Sequence, residues 1–141
     1  MTAVAPELAT KVRDFISTDR PMLIGGDWVF AASGQTFETI DPANGRTLTS
    51  VARGDGTDID RAVRAAREAF DDGPWSRMKP NERERLLWRV GDILTERAEE
   101  FGQLEALDNG KAATIATAVD TAWSADIFRY NAGLATKITG S

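Results

Sequence analysis

The chain contains no cysteine and no histidine. Without a thiol it can form neither a thiolate nucleophile nor a disulfide, and without imidazole it lacks the usual general base near neutral pH. The commonest ligands of zinc and other soft metals are missing for the same reason. Any chemistry performed by these residues alone would depend on carboxylates, lysine, serine, threonine or the single tyrosine, Tyr130.

Excess positive charge and long apolar runs are also lacking. Lysine and arginine total 17 against 22 aspartate and glutamate residues, so the net charge is −5 and a nucleic-acid-binding surface is not expected. No apolar run reaches the roughly 18 residues that a membrane span needs. The opening segment lacks the basic start and apolar stretch of a signal peptide, and Glu7 and Asp14 disfavour a transit peptide. A cytoplasmic protein that binds neither nucleic acid nor membrane is therefore predicted.

The first part of the chain predicts one short helix and a small sheet. Residues 1–21 read as an N-terminal helix and lead-in, with apolar positions after Pro6 at Leu8, Val12, Phe15 and Ile16. Residues 22–52 read as an antiparallel meander containing MLIGGDWVF, TFETI and TLTSVA. The turn DPANG between the last two segments has proline and glycine where a tight turn requires them, so these segments are expected to pair.

The sequence pattern of residues 57–139 predicts helices. Thr57 is placed to cap the first, with Asp60 completing a capping box, and one face is apolar at Ile59, Ala62, Val63, Ala66 and Phe70. Gly73-Pro74 ends that helix, and Pro80 begins a second that runs to Asn109-Gly110. An alanine-rich third helix extends from about Ala112 toward Lys137. The expected fold is mainly helical, with about four helices and the meander.

The third helix has an apolar face that the chain itself does not cover. Its members are Ile115, Val119, Ala122, Trp123 and Phe128. Few apolar residues remain elsewhere to pack on them, so a further layer of structure is expected.

Five segments in the same order resemble the start of the aldehyde dehydrogenase superfamily. They are MLIGGDWV, TFETIDPANGRTLTSVARGD, DIDRAVRAAREAFDDGPWSRMKPNERERLLWRVGDIL, LEALDNGK and FRYNAGLATKITG. The sequences of these segments are most similar to those of bacterial phenylacetaldehyde and betaine aldehyde dehydrogenases. The resemblance implies an α/β family fold, of which residues 22–141 would be the incomplete N-terminal part of the cofactor-binding domain.

The resemblance also implies an activity whose residues this chain lacks. Family members oxidise aldehydes with NAD or NADP, using a cysteine nucleophile, a glutamate that activates water, and an asparagine that holds the oxyanion. All of these lie beyond the matched region, as do the cofactor-binding strands and the oligomerisation hairpin. No catalytic or cofactor-binding residue is therefore assigned here, and Tyr130, Lys111 and Glu99-Glu100 are read as surface groups.

Two sets of site residues follow from the resemblance. Asp108, with the carbonyls of Thr39 and Ile40, would contribute to a site for sodium, potassium or magnesium, because hard cations prefer oxygen ligands. The alternative is that Asp108 only caps a helix end. Val119 and Trp123 match positions that line the aldehyde entrance, and the alternative is ordinary core packing.

Three functional hypotheses remain open at this point. The first is an N-terminal fragment of an aldehyde dehydrogenase, inactive alone, whose partners are the remainder of the chain and, when complete, an aldehyde and further copies of itself. The second is a non-catalytic interaction protein that docks on a full-length relative. The third is a structural domain that closes its core by self-association.

Overall fold

The computed structural model describes residues 7–138. Its elements in chain order are α1 (Thr10–Ile16), β1 (Met22–Ile24), β2 (Asp27–Val29), β3 (Thr36–Ile40), β4 (Thr47–Ala52), α2 (Gly56–Asp71), α3 (Pro74–Arg77), α4 (Pro80–Glu96), α5 (Ala98–Asn109), α6 (Ala113–Ile115), a π-helical turn (Ala116–Thr121) and α7 (Ala122–Leu134). The mainly helical fold with a small antiparallel component is confirmed.

The strands form two separate hairpins, whereas the sequence pattern predicted one continuous meander. β1 pairs with β2 across Gly25-Gly26, and β3 pairs with β4 across the DPANG turn, as predicted for the second pair. The chain leaves the first hairpin at Ala31 and Ala32, where the Ala32 N–H donates to both carboxylate oxygens of Asp58 at 3.1 and 3.2 Å. This bond directs the connection toward α2 and away from a ladder with β3.

The cap of α2 lies two residues before the predicted Thr57. Asp55 is the N-cap and accepts from the Thr57 N–H at 2.8 Å, while the Asp58 side chain accepts from the Asp55 N–H at 3.2 Å. The predicted Thr57–Asp60 box is wrong because the Asp55–Asp58 pair has the same spacing, and aspartate is the stronger cap. Asp58 is almost fully buried and its second partner is the hairpin connection.

The helix predicted from Pro80 to Asn109 is two helices. α4 begins at Pro80 as expected, but the backbone leaves helical geometry at Arg97, with φ −113° and ψ 24°. Because of this bend, one side of α5 faces the segment that begins α1. There the buried Gln103 Oε1 accepts a hydrogen bond from the Ala9 N–H at 2.8 Å. α5 ends at Asn109, and Gly110 adopts φ 77° as its left-handed cap, which confirms the predicted stop.

The third predicted helix is interrupted and shorter than expected. It runs from Ala113 to Leu134 and contains the π turn, and of the predicted end at 139 only residues up to 138 are described. Two glycines let other helices approach it closely. A Cβ added at Gly91 of α4 would lie 2.9 Å from the Ala125 carbonyl oxygen, and one added at Gly102 of α5 would lie 2.0 Å from Thr117 Oγ1.

The packed interior is small. Among residues 7–138 the buried apolar residues are Val12, Ala31, Ala116, Ala125 and Ala132, whereas many large apolar side chains lie on the surface. Within the same range no helix is long and apolar enough to cross a membrane. The helices are thus arranged around short contacts between small residues, and their larger apolar side chains point outward.

Candidate functional site

Two tight turns meet beside the predicted cation ligands. In the DPANG turn the buried Asp41 carboxylate accepts the Ala43 N–H at 2.8 Å and the Asn44 side-chain amide at 2.7 Å. Pro42 of this turn lies against Gly110, because a Cβ added at Gly110 would be 3.0 Å from Pro42 Cγ. The end of β3 is thereby brought to the end of α5.

Thr39 and Asp108 line the same groove. The groove has a volume of about 420 Å³, lies between α1, the β3–β4 hairpin and α5, and is otherwise largely apolar. A register shift interrupts the β3–β4 ladder between Thr39 and Ile40, where strand irregularities typically redirect backbone groups. Ile40 is not among the lining residues, so two of the three residues predicted to bind the cation line this groove.

The Asp108 side chain is exposed at the mouth of the groove. It takes part in none of the ion pairs found among residues 7–138. In that same range no three acidic, histidine or cysteine side chains gather as a metal-binding cluster. A cation here would therefore depend on backbone carbonyls and on one carboxylate.

Lys111 links the end of α5 to the π turn. Its ammonium group forms an ion pair with Asp120 and lies 4.0 Å from Glu105. The hydrogen bond to Asp120 is the main reason that the pKa of Lys111 is raised above its ordinary value. Lys111 is thus a partner in a surface ion pair.

The other groups excluded from catalysis also have structural or surface roles. Tyr130 is exposed, and Glu99 accepts a hydrogen bond from the Gln103 side chain at 3.3 Å. Glu100 pairs with Arg97, and the hydrogen bond from this guanidinium lowers the pKa of Glu100.

Val119 and Trp123 lie side by side on an exposed face of the third helix. Both line a shallow concavity of about 300 Å³ together with Ala118, Ala122 and Asp126. Trp123 is 69% exposed and Val119 is 46% exposed, so neither is packed inside the described residues. Ordinary core packing within residues 7–138 does not account for this pair.

Exposed apolar side chains occur throughout the described residues, and two helices each carry a row of them. The first, called here the Trp123 face, consists of Ile115, Val119, Trp123 and Ile127. The second, called here the α2 face, consists of Ile59, Val63 and Phe70. Contiguous apolar surface of this kind is usually covered by another structural layer, as the sequence pattern predicted for the third helix.

Several structurally important residues were not identified from the sequence. Asp58 connects the first hairpin to α2, and Gly102 and Thr121 determine the shape of the third helix. The residue types alone do not predict these roles, because glycine and threonine occur inside many helices that have no such contact. Only the contact partners, which are 15 or more residues away for Gly102 and Asp58, distinguish them.

Comparison with known proteins places these features in context. The profile of the aldehyde dehydrogenase family matches residues 28–141. Aldehyde dehydrogenase 1 of Tanacetum cinerariifolium is 47% identical over 120 residues, which cover 85% of this chain and 24% of that protein. Phenylacetaldehyde dehydrogenase of Pseudomonas fluorescens is 42% identical over 128 residues, covering 91% of this chain and 26% of that protein.

A solved structure shows the same fold. The NAD+ complex of aldehyde dehydrogenase from Bacillus cereus superimposes with a TM-score of 0.92 and 44% sequence identity, over 96% of this chain and 28% of that chain. The chain thus spans about a quarter of the length of the curated relatives that it matches.

Proposed function

The chain belongs to the aldehyde dehydrogenase family, and we propose that it serves as the N-terminal part of an enzyme that oxidises an aldehyde to a carboxylic acid with NAD or NADP. The observation that carries this proposal is the family match over residues 28–141 combined with its coverage of about a quarter of the relatives. By itself the chain would have no activity, since it contains no cysteine to attack the carbonyl. Residues 22–141 would belong to the cofactor-binding domain.

The described residues do not fit the nicotinamide cofactor. A dinucleotide pyrophosphate usually rests on the N-terminus of a helix that follows a glycine-rich turn. The glycine-containing loop before α2 is the nearest equivalent here, but the carboxylates of Asp55 and Asp58 already accept the N–H groups at that position. Like charges would repel a pyrophosphate, so the cofactor would be held by the part of the enzyme that this chain does not contain.

The exposed faces support a role as part of a larger protein. The Trp123 face and the α2 face would pack on the remainder of the enzyme, which is the partner that the family match favours. The complete enzyme would assemble as a homo-oligomer. Docking on a separate full-length relative would use the same faces. The two arrangements are distinguished by testing the chain both fused to the remainder of an enzyme and as a separate protein.

A chimera tests the proposed function. It consists of residues 1–141 followed by the part of the Bacillus cereus enzyme that lies after the region matched by this chain. We expect aldehyde-dependent NADH formation from the chimera, and none from the 141-residue chain or from the Bacillus remainder alone. Absorbance at the NADH band measures this. A chimera that elutes and unfolds like the parent enzyme but has no activity would contradict the proposal, as would turnover by the purified chain.

We propose that Asp108, with the carbonyls of Thr39 and Ile40, helps to bind a sodium, potassium or magnesium ion in the complete enzyme. The shared groove of Thr39 and Asp108 and the strand irregularity beside them support this set. The fit is incomplete in this chain, because one carboxylate and two carbonyls give fewer oxygens than these cations prefer. A further oxygen would come from a later part of the enzyme.

Asp108→Asn in the chimera should remove a cation-dependent gain in thermal stability. A bound ion stabilises the native state by about 2.7 kcal/mol when its concentration is 100 times the Kd. Melting temperatures would be measured with each chloride salt at constant ionic strength, balanced with choline. Asp126→Asn is the matched control, because Asp126 is an exposed carboxylate remote from the groove. An equal cation response in Asp108→Asn and the unaltered chimera would leave Asp108 with the capping role alone.

We further propose that Val119 and Trp123 line the aldehyde entrance. Trp123→Ala in the chimera should lower kcat/KM for phenylacetaldehyde about tenfold relative to kcat/KM for acetaldehyde. This is the effect expected from losing about 1.4 kcal/mol of aromatic contact. The loss should be in KM, since the side chain would contact the substrate away from the reacting carbon. Trp28→Ala is the matched control, because Trp28 is equally exposed but lies on β2. The same substrate ranking in all three proteins would return Trp123 to a packing role.

A further inference from the structure

The third helix changes its winding in the middle. Its buried positions are Ala116, Thr121, Ala125 and Ala132, which are separated by five, four and seven residues. Spacings of four and seven keep side chains on one face of an α-helix, but a spacing of five does not. The five-residue step falls on the π turn, so the turn is what keeps one face toward α4 and α5.

Two contacts hold the π turn in place. The α5 backbone rests directly on it at Gly102, where an added Cβ would lie 2.7 Å from the Cα and N atoms of Thr117. Inside the turn the buried Thr121 hydroxyl donates to the Ala116 carbonyl oxygen at 3.1 Å. This bond reaches back five residues, whereas Thr95 in the regular helix α4 donates to the carbonyl four residues earlier, that of Gly91, at 3.0 Å. Thr121 is thus paired in the geometry of the wider turn.

The π turn also aligns the Trp123 face. Each residue of an α-helix advances the side chain by about 100°, so the twelve steps from Ile115 to Ile127 would leave these residues about 120° apart. A π turn takes up one extra residue, which reduces the separation to about 20°. Ile115, Val119, Trp123 and Ile127 are all exposed, as a common outward line requires.

We propose that the π turn is a positioning device for the aldehyde entrance, with Thr121 as the positioning residue. Val119 lies inside the π turn and Trp123 in the α-helix that follows it, so the Thr121 hydroxyl bond and the glycine contact at Gly102 set the angle between these two side chains, and with it the aldehyde shapes that fit between them. The inference rests on the proposed function, because it deepens the role given there to Val119 and Trp123. Thr121 itself is buried, so its role in the proposal is to position Val119 and Trp123.

Thr121→Val and Thr121→Ser in the chimera test this role. Valine keeps the size of threonine but removes the hydroxyl, so the π turn loses its bond to the Ala116 carbonyl. We expect the ratio of kcat/KM for phenylacetaldehyde to that for acetaldehyde to change roughly fivefold or more, through KM, as for other small changes in pocket shape. Serine keeps the hydroxyl and should preserve the ratio. A ratio that stays constant in Thr121→Val, or that changes equally in both variants, would overturn the proposal.

A distance measurement decides the alignment without enzyme activity. Because the chain has no cysteine, Ile115→Cys and Ile127→Cys provide two unique sites for spin labels. With the π turn present, the label separation should be close to the axial rise of about 18 Å, and in Thr121→Val it should lengthen by roughly 5 Å as the labels rotate apart. The labelled 141-residue chain is measured after the Bacillus cereus remainder has been added as a separate chain, and a long separation with Thr121 unaltered would then overturn the proposal. An inactive chimera that carries the unaltered segment would contradict only the proposed function, since the label separation is read independently.

Discussion

The isolated 141-residue chain is expected to keep its helical circular dichroism but to unfold without a sharp transition and to bind a hydrophobic dye. The enclosed apolar residues are one valine and four alanines, whereas the Trp123 face and the α2 face are exposed. Burial of one large apolar side chain contributes about 1.5–3 kcal/mol, and a whole domain is stable by only about 5–15 kcal/mol. Leaving several such side chains in water therefore removes most of the margin that makes unfolding cooperative.

Calorimetry and dye fluorescence measure this expectation. Adding the Bacillus cereus remainder as a separate chain should sharpen the transition and reduce dye fluorescence, because it would cover both faces. The double variant Trp123→Ser and Ile127→Ser is the matched control, and it should bind less dye without gaining a sharp transition. A monomeric chain with one sharp transition and no dye binding would show a self-sufficient domain, and would favour the interaction or structural hypothesis.

Gly102→Ala should strongly destabilise the contact between α5 and the π turn. The new Cβ would meet the Thr117 hydroxyl at 2.0 Å and the Thr117 backbone at 2.7 Å, so the two helices would have to move apart. Overpacking of this kind costs about 1–3 kcal/mol, and a backbone collision lies at the upper end of that range. The free energy of unfolding of the chimera in urea would measure the loss.

Two further variants separate the collision from a general effect of alanine. Gly133→Ala in α7 meets only Lys137 Nζ at 3.8 Å, so it should stabilise by about 0.5–1 kcal/mol through better helix propensity. Adding Thr117→Ala to Gly102→Ala should restore little, because the Thr117 backbone atoms remain in the way. Full rescue by the double variant would show that only the hydroxyl is crowded, and the close backbone contact would then be wrong.

Local sequence signals predicted the ends of elements well where a residue enforces its own conformation. Pro80 begins α4, Gly110 ends α5 with φ 77°, and the DPANG turn joins β3 to β4. In each case proline or glycine restricts or permits a backbone angle regardless of what surrounds it. These features are therefore readable from short stretches of the sequence.

Features that depend on distant contacts were not predictable in the same way. The bend at Arg97 has neither proline nor glycine, and it follows from packing α5 on α1 and on the π turn. The π turn likewise requires the backbone of Gly102 beside it. The separation of the two hairpins depends on Asp58, which belongs to a different element from the strands that it divides. Tertiary contacts override the local pattern at all three places.

The candidate site residues were predicted from the sequence, but not from local signals of the kind that mark the ends of helices and strands. The family resemblance selected Thr39, Ile40, Asp108, Val119 and Trp123, which periodicity alone would not have distinguished from other loop and helix residues. The structure brings Thr39 and Asp108 to one groove and Val119 and Trp123 to one concavity. Their ligand and substrate roles remain proposals, since the measurements described above are what test them.

The bond between Ala9 and Gln103 has a consequence for biosynthesis. It joins residues that are 94 positions apart, so α1 leaves the ribosome long before α5 is made. At about 5–20 residues per second, the nascent chain waits roughly 5–20 s before α1 can dock. During that interval Val12, which is enclosed in the folded chain, stays open to solvent and to chaperones. α1 thus reaches its place only after α5 has been synthesised.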